Sequence, residues 1–234
     1  MTYKALLRRA RRWVRSLFGR DVSHRPELRL ATHEYGSDYG KWVLYTDRIS
    51  RESIIYSFGV GRDVSFDTAL IAAHGVTIHA FDPTPRSARW VADQNLPASF
   101  HFHQIGIADY NGTAKFNAPL NPDFVSYTTT EEGDAARAIE ARVRHLARIM
   151  QELGHEHVDV LKLDVEGSEF EVIPDILSSE LDVRQILVEF HHRFASIEIS
   201  RTNEIVDLLR SRDYRLYYVS PRGEEYSFIR ADQI

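Results

Sequence analysis

The chain contains no cysteine, and this absence excludes disulfide bonds and thiolate chemistry. It also lacks any apolar run that approaches the roughly 20 residues needed to span a bilayer. We find no internal repeat and no low-complexity segment in its 234 residues, a length that can bury one substantial core. The sequence therefore predicts one domain with appendages.

Basic residues are scarce outside the N-terminal segment. Seven of the 29 lysines and arginines lie in residues 1–20, which contain no acidic residue. The remaining chain carries 22 basic against 34 acidic residues, a net charge of −12. A nucleic-acid-binding protein should present a basic surface, so we expect no nucleic-acid partner.

Residues 1–20 predict a basic amphipathic helix, with apolar residues at i, i+3, i+4 and i+7 spacing and arginines opposite. One interpretation is an in-plane membrane anchor on anionic headgroups, and the other is packing on the same domain or on a partner subunit. Arginines interrupt any apolar signal sequence, so we expect a cytoplasmic protein, peripheral at a membrane under the first interpretation. The apolar positions are Tyr3, Leu6, Leu7, Ala10, Trp13, Val14, Leu17 and Phe18.

A short apolar run, Ile54–Phe58, ends in Gly59-Val60-Gly61 and is followed by helical spacing to about Ala73. A strand that breaks at glycines and turns into a helix is typical of the nucleoside-binding turn of open α/β sheets. Glycine allows the sharp turn and the close approach of a ligand. Val64 stands where the dinucleotide fingerprint has its third glycine, so the motif alone is also compatible with an ordinary tight turn.

The next predicted strand, 76–81, ends at Asp82-Pro83, 23 residues after Gly59. An acid at this place accepts hydrogen bonds from the ribose hydroxyls of a bound nucleoside, whereas the alternative is a turn-forming Asp before proline. Together with the glycine turn, the pattern favours the ribose role. A third strand, 100–105, leads to Ile107 and Asp109, which are candidates for an apolar wall and an amine acceptor around adenine.

Two later strands also end in charged residues. The strand 158–163 precedes Asp164 and Glu166, and the strand 185–190 carries Glu189 and leads into His191. Clustered acids raise one another's pKa, and a histidine at a strand end is a reasonable general base. The alternatives are helix capping by the acids and a structural histidine. Because both strands are predicted to end at the same edge, we favour a functional site.

The rest of the chain completes an alternating α/β pattern. Residues 21–40 predict a polar connector, and 118–130 a polar loop that covers a substrate. Helices are expected at 86–94, 135–153, after Ser168 through Leu177, and at 200–210, and a closing hairpin at 214–219 and 225–229.

In this order the motifs resemble FkbM-type S-adenosylmethionine-dependent methyltransferases, most closely their methyltransferase-like branch, over about residues 40–230. The resemblance rests on YSFGVG with Phe66-Asp67, AFDP, LKLDVEGSE and EFHH. It implies a Rossmann-like class I methyltransferase domain over 41–234. This α/β fold has a mostly parallel seven-stranded sheet, a C-terminal antiparallel hairpin, and helices on both faces. It also implies S-adenosylmethionine as cofactor.

The resemblance further implies residue roles. Gly59 and Gly61 would face the amino-acid part of the cofactor, Asp82 its ribose, and Ile107 to Asp109 its adenine. Asp164, Glu166 and His191 would line the acceptor pocket. By position, Ser57 is also a candidate for the cofactor site. Many methyltransferases have an acid where Ser57 stands and a glycine where Asp63 stands, so recognition of the methionine ammonium would pass to Asp63 or a backbone carbonyl.

We therefore expect methyl transfer to a hydroxyl on a sugar, a glycan or a small metabolite, with His191 as base and Asp164 or Glu166 as orienting groups. A variant holds a divalent cation through Asp164, Glu166 and Glu189 or His191, and is not favoured. Two other classes stay open: an NAD(P)-dependent oxidoreductase of related topology, and a catalytically silent membrane-associated adaptor.

Overall fold

The computed structural model describes residues 3–19 and 21–234. Within these residues the helices are α1 (Tyr3–Leu17), α2 (Ser65–His74), α3 (Pro85–Ala92), α4 (Leu146–Leu153), α5 (Glu169–Ser178) and α6 (Ser200–Ser211). The strands are β1 (Thr32–Tyr35), β2 (Trp42–Tyr45), β3 (Ile54–Phe58), β4 (Thr77–Phe81), β5 (Phe100–His103), β6 (Gly106–Ile107), β7 (Gly112–Ala118), β8 (Asp134–Arg144), β9 (His157–Leu163), β10 (Asp182–Glu189), β11 (Tyr214–Val219) and β12 (Glu225–Arg230).

A seven-stranded sheet with the order β11-β12-β10-β9-β3-β4-β5 forms the centre of the fold. Its strands run parallel except β12, which is antiparallel to both β10 and β11. The carboxyl ends of β3, β4, β9 and β10 therefore meet at one edge, where ligands bind in open α/β sheets. This topology confirms the predicted Rossmann-like methyltransferase fold with its reversed final strand.

Helices cover both faces of this sheet. On one face α4, α5 and α6 bury Ile149, Ile173 and Val206 against β9 and β10. On the other face α2, α3 and β2 pack against the opposite side of the same strands. Both faces of β9 and β10 are thus withdrawn from water, which explains their near-continuous apolar sequences.

The helix predicted over 135–153 is wrong for its first half. Residues 134–144 form β8, which pairs antiparallel with β7 and parallel with β6 in a separate three-stranded sheet. Ile139, Ala141 and Val143 alternate inward on this strand and pack with Phe116 of β7. Pairing with β7 overrides the helix propensity of an alanine- and arginine-rich segment.

Residues 21–40 pack on the domain, although the sequence predicts a polar connector. Within this segment β1 pairs with β2, and the backbone N–H of Glu27 donates to the carbonyl oxygen of Leu216 at 2.7 Å. Asp21 and Val22 are buried. The predicted boundary at residue 40 therefore falls inside the β1–β2 hairpin, with β1 before it and β2 after it.

The described part of the N-terminal segment forms a helix, as predicted, while Met1, Thr2 and Arg20 lie outside the described residues. Among the described helices, none has the length and apolar character needed to cross a membrane.

Candidate active site

A cavity of about 660 Å³ opens at the carboxyl ends of β3, β4, β9 and β10. This volume lies within the range of about 300–1,000 Å³ that is usual for small-molecule sites. The cavity brings together eight of the ten residues predicted for the site: Gly59, Gly61, Asp63, Asp82, Ile107, Asp164, Glu166 and His191.

The glycine turn forms the floor of the cavity between β3 and α2. Gly59 and Gly61 adopt φ angles of 87° and 53°, in the region that favours glycine. A Cβ atom at Gly59 would collide with the carbonyl oxygen of Asp164, so β9 also requires glycine here, independently of any ligand. Lys162 secures the turn, because its Nζ donates to the carbonyl oxygens of Phe58 at 3.2 Å and Gly59 at 2.9 Å.

Asp82 lies at the end of β4 and links two loops of the cavity. Its Oδ2 accepts from the backbone N–H of Gly61 at 2.9 Å, and its Oδ1 accepts from the N–H and hydroxyl of Thr84 at 2.9 and 2.6 Å. A carboxylate has about four acceptor positions, so it retains capacity for a ribose hydroxyl. Asp82 is 5% exposed, and this burial favours a preorganised contact.

Asp63 borders the cavity, but both of its carboxylate oxygens have partners in the protein. Oδ1 accepts from the backbone N–H of Ser65 at 2.8 Å, and Oδ2 accepts from the hydroxyl of Ser37 at 2.7 Å. Burial opposes ionisation of Asp63, but these hydrogen bonds outweigh it and lower its pKa. Asp63 thus accepts the first backbone N–H of α2 and ties the 37–40 loop to the cavity wall.

Ser57 and Asp109 are the two predicted cofactor residues that do not line the cavity. Ser57 is fully buried within β3, one residue before the strand ends, and its side chain alternates away from that of Phe58. Asp109 is exposed after β6, whereas Ile107 is buried and lines the cavity. The geometry gives no support to contacts of Ser57 or Asp109 with a bound nucleoside.

The predicted catalytic residues form one cluster at the ends of β9 and β10. Nε2 of His191 lies 3.3 Å from Oε2 of Glu166 and 3.9 Å from Oδ1 of Asp164. Glu166 has a φ of 50°, a conformation that is uncommon for a residue other than glycine. Backbone strain of this kind is often retained where a side chain must be placed for function.

Glu169, which the sequence predicts only as a helix cap, holds this cluster from behind. It is fully buried, and its Oε1 accepts from the backbone N–H of His191 at 2.7 Å and lies 3.3 Å from the ring Nδ1. Its Oε2 accepts from the N–H of Gly167 at 2.9 Å. A glutamate at the first position of a helix gives no sequence signal for this role, because capping explains it equally well.

The charges of the cluster set its protonation. Burial lowers the pKa of His191, but the charge and hydrogen bond of Glu169 and the charges of Glu166 and Asp164 raise it well above its usual value. Burial raises the pKa of Glu166, with His191 opposing and Asp164 adding to the effect. Burial and Asp164 raise the pKa of Glu189 to about 8. The direction of this shift favours the imidazolium form of His191.

Asp164, Glu166 and His191 also meet the geometric requirement for a cation site, since one ligand atom from each lies within 4.8 Å of the others. Two carboxylates and one imidazole suit a divalent cation. The same proximity is equally well explained by ion pairing of the imidazolium with the two acids.

Several other residues that line the cavity were not among the ten predicted site residues. Glu189, which the sequence analysis considered only as a cation ligand, lies beside Asp164, and the 118–130 loop contributes Asp123–Tyr127 as the predicted substrate cover. Tyr39 and Arg222 come from the N-terminal loop and the β11–β12 turn. Only tertiary structure brings these distant segments to one cavity.

The family described as "Methyltransferase FkbM domain" matches residues 38–216. The human "Probable methyltransferase-like protein 24" is 24% identical over 179 residues, covering 72% of this chain and 43% of that protein. "31-O-demethyl-FK506 methyltransferase FkbM" of Streptomyces tacrolimicus is 24% identical over 193 residues, covering 65% of this chain and 72% of that protein. A solved structure, the Methanococcus jannaschii fibrillarin pre-rRNA processing protein, aligns with a TM-score of 0.46 and 12% identity over 77% of this chain and 67% of that one.

The sheet order and the reversed last strand are those of the Rossmann-like methyltransferase fold, and the cavity lies at the strand ends, where ligands bind in open α/β sheets. The family match covers more than half of the residues, and the chain belongs to the FkbM methyltransferase family. The chain spans less than half the length of the human relative.

Proposed function

We propose that this chain transfers the methyl group of S-adenosylmethionine to a hydroxyl oxygen of a sugar, a glycan or a small metabolite. The observation that carries the proposal is that the glycine turn, Asp82 and the Asp164–Glu166–His191 cluster border one cavity. The name of the Streptomyces relative specifies an O-demethyl substrate, and this favours oxygen as the methyl acceptor here.

The residues of the cavity fit the cofactor in chemistry. Gly59 and Gly61 leave the floor free of side chains, buried Asp82 offers acceptors to ribose hydroxyls, and Ile107 offers an apolar wall. The sulfonium of the cofactor supplies an activated methyl group, so the protein mainly has to align the acceptor and remove its proton. The cofactor and acceptor parts of the cavity are adjacent, because Gly59 and Asp164 are in backbone contact.

We propose Glu166 as the group that accepts the proton, in place of His191. A general base needs a free electron pair, which an imidazolium lacks. Glu166 borders the cavity and has a raised pKa, so its carboxylate is a stronger base than an ordinary glutamate. His191 then pairs with the carboxylates and limits their mutual repulsion, while Asp164 orients the acceptor.

Replacing Glu166 tests this assignment. We expect Glu166→Gln to lower kcat by about 100-fold or more with little change in cofactor affinity, since general-base catalysis contributes about 10²–10⁴. Activity should persist after exhaustive chelation. Loss of activity on chelation, with recovery on adding Mg²⁺, would instead support the variant in which Asp164, Glu166 and His191 hold a cation.

Calorimetric titration of the purified chain with S-adenosylmethionine tests the cofactor. Asp82→Asn should weaken binding about 10- to 100-fold, because a hydrogen bond to a charged group contributes about 1.5–3 kcal/mol. Asp109→Asn is the matched control and should change affinity by less than about twofold, as Asp109 lies outside the cavity.

Equal weakening by the Asp82 and Asp109 variants would remove the ribose assignment. A thermally stable chain that binds no S-adenosylmethionine would overturn the proposed activity and favour the silent adaptor. Binding of NAD(P) alone would restore the oxidoreductase alternative, which the family match disfavours.

A further inference from the structure

Helix α1 lies on the domain with Arg12 facing inward. Arg12 is 7% exposed, and its guanidinium donates to the carbonyl oxygen of Ser220 at 3.1 Å and fills the space over Gly223. Nε of Arg15 lies 3.6 Å from Oδ2 of the buried Asp21. Among the α1 side chains that the structure describes, Arg12 and Arg15 therefore hold the helix to the domain, and the large apolar ones do not.

The apolar side of α1 faces solvent. Among the α1 side chains that the structure describes, Leu7, Trp13, Val14 and Leu17 are 44–63% exposed, and Phe18 just beyond the helix is 75% exposed. A surface helix normally buries this side and exposes its charges. The arrangement is reversed here. Large apolar side chains that are grouped and exposed on one side of a helix indicate a binding site.

We propose that α1 lies in the surface of an anionic lipid bilayer and binds the chain to it. Trp13, Leu17 and Phe18 would enter the interface, where such side chains are favoured, and the exposed Arg8 and Arg11 would meet the headgroups. Fifteen helical residues are about 22 Å long, shorter than the ~30 Å apolar layer, so the helix lies in the plane.

Charge favours a bilayer over a second copy of the chain. Pairing two α1 helices through their apolar sides would bring together two segments that each carry seven lysines and arginines and no acid. An anionic bilayer provides both an apolar layer and the opposite charge. The domain cannot cover the apolar side itself while Arg12 remains buried on the inward side.

The position of α1 relates the bilayer to the cavity. Arg12 packs on the β11–β12 turn, and the same turn contributes Arg222 to the cavity lining. A bilayer bound through α1 would thus lie at the edge of the sheet that carries the cavity. The inference does not depend on the proposed methyl transfer, because the exposed apolar side exists whatever the cavity binds.

Flotation of the full chain with vesicles tests the proposal. We expect the chain to bind vesicles that contain about 30% phosphatidylglycerol, and to bind pure phosphatidylcholine at least about tenfold more weakly, since each basic residue near an anionic surface contributes about 1 kcal/mol. Leu17→Glu and Arg11→Glu should each reduce binding about tenfold or more.

Two matched controls separate α1 from general effects of charge. Leu120→Glu changes another exposed leucine, 75% exposed against 63% for Leu17, and Arg51→Glu reverses a charge beside Gly75, at the opposite edge of the sheet. Both should bind vesicles within about twofold of the parent chain. All four variants should retain the parent's affinity for S-adenosylmethionine, so failure of vesicle binding is distinguishable from failure of the cofactor proposal.

Absence of binding to anionic vesicles would overturn the proposal, as would equal binding to neutral ones. Equal losses in Leu17→Glu and Leu120→Glu would also overturn it. Light scattering that shows a dimer of the parent chain and a monomer of Leu17→Glu would identify a second copy as the occupant instead.

Discussion

At the scale of single residues, Glu169 holds His191 and the turn after β9 in position beside the cavity. One carboxylate receives the N–H groups of Gly167 and His191 and also contacts the His191 ring. Charge-assisted hydrogen bonds of this kind are stronger than neutral ones. Glu169 thereby joins the turn after β9 to the end of β10 and acts as a positioning residue.

Replacing Glu169 by glutamine keeps the shape and removes the charge. We expect Glu169→Gln to lower the pKa of His191. Burial lowers this pKa, and the variant removes the largest negative contribution that raises it. NMR titration of the ring carbons measures this pKa directly. We also expect kcat to fall by about tenfold or more, while the affinity for S-adenosylmethionine changes less than about twofold.

Glu171→Gln is the control for this prediction, because Glu171 pairs with Arg201 on the surface two residues away. It should leave both kcat and the His191 titration unchanged. An unaltered His191 pKa in Glu169→Gln would show that Glu169 does not set the charge of the cluster.

At the scale of elements, the parallel pairing of β4 and β5 stacks histidines beside one another. The His79 ring lies 5.3 Å from those of His101 and His103 and 4.9 Å from that of His155, measured between centroids. Burial lowers the pKa of His79 to about 4, and the positive charges of the other three rings would act in the same direction. This environment therefore favours the neutral form of His79.

His79 should contribute a loss in the free energy of unfolding as the pH falls. The unfolded chain binds the His79 proton near pH 6.5, whereas the folded chain binds it near 4, so stability is lost between these values and not below them. For His79 alone we expect a loss of about 1–2 kcal/mol between about pH 7.5 and about pH 5.

Urea unfolding of the parent chain and of His79→Asn at the two pH values isolates this contribution, because both chains retain the opposing effects of His191, Glu166 and Glu189, whose pKa values are raised in the folded chain. The loss should be absent from His79→Asn, while His33→Asn, at an exposed position on β1, should behave as the parent chain does. If the free energy of unfolding depends on pH equally in His79→Asn and in the parent chain, His79 does not contribute the expected loss.

At the scale of the whole molecule, opposite charges occupy different parts of the chain. A body with a net charge of −12 carries an N-terminal segment with seven basic residues. Some of these opposite charges pair within the molecule. Asp21 forms ion pairs with Arg15 and Arg193 and also contacts the His192 ring. The arginines that hold α1 to the domain leave its apolar side outward, and this orientation is a property of the assembled molecule alone.

Local patterns in the sequence predicted the parallel strands and charged or glycine residues at their ends, because buried strands are continuously apolar and their ends carry glycine or charge. The resemblance to FkbM-type methyltransferases implied the seven-stranded sheet with its reversed last strand and the roles of Gly59, Gly61 and Asp63 toward the cofactor. Together they gave eight of the residues that line the cavity. The same local reasoning predicted a helix for β8, because its own sequence contains no signal for the pairing with β7. It also placed Ser57 and Asp109 at the cofactor.

Only the tertiary structure decided the protonation of His191, the supporting role of Glu169 and the orientation of α1. Each depends on groups far apart in sequence: carboxylates from α5 and the β9 turn around a histidine after β10, and Arg12 against the β11–β12 turn. Electrostatic shifts and packing depend on distances between atoms, and residue order does not contain those distances.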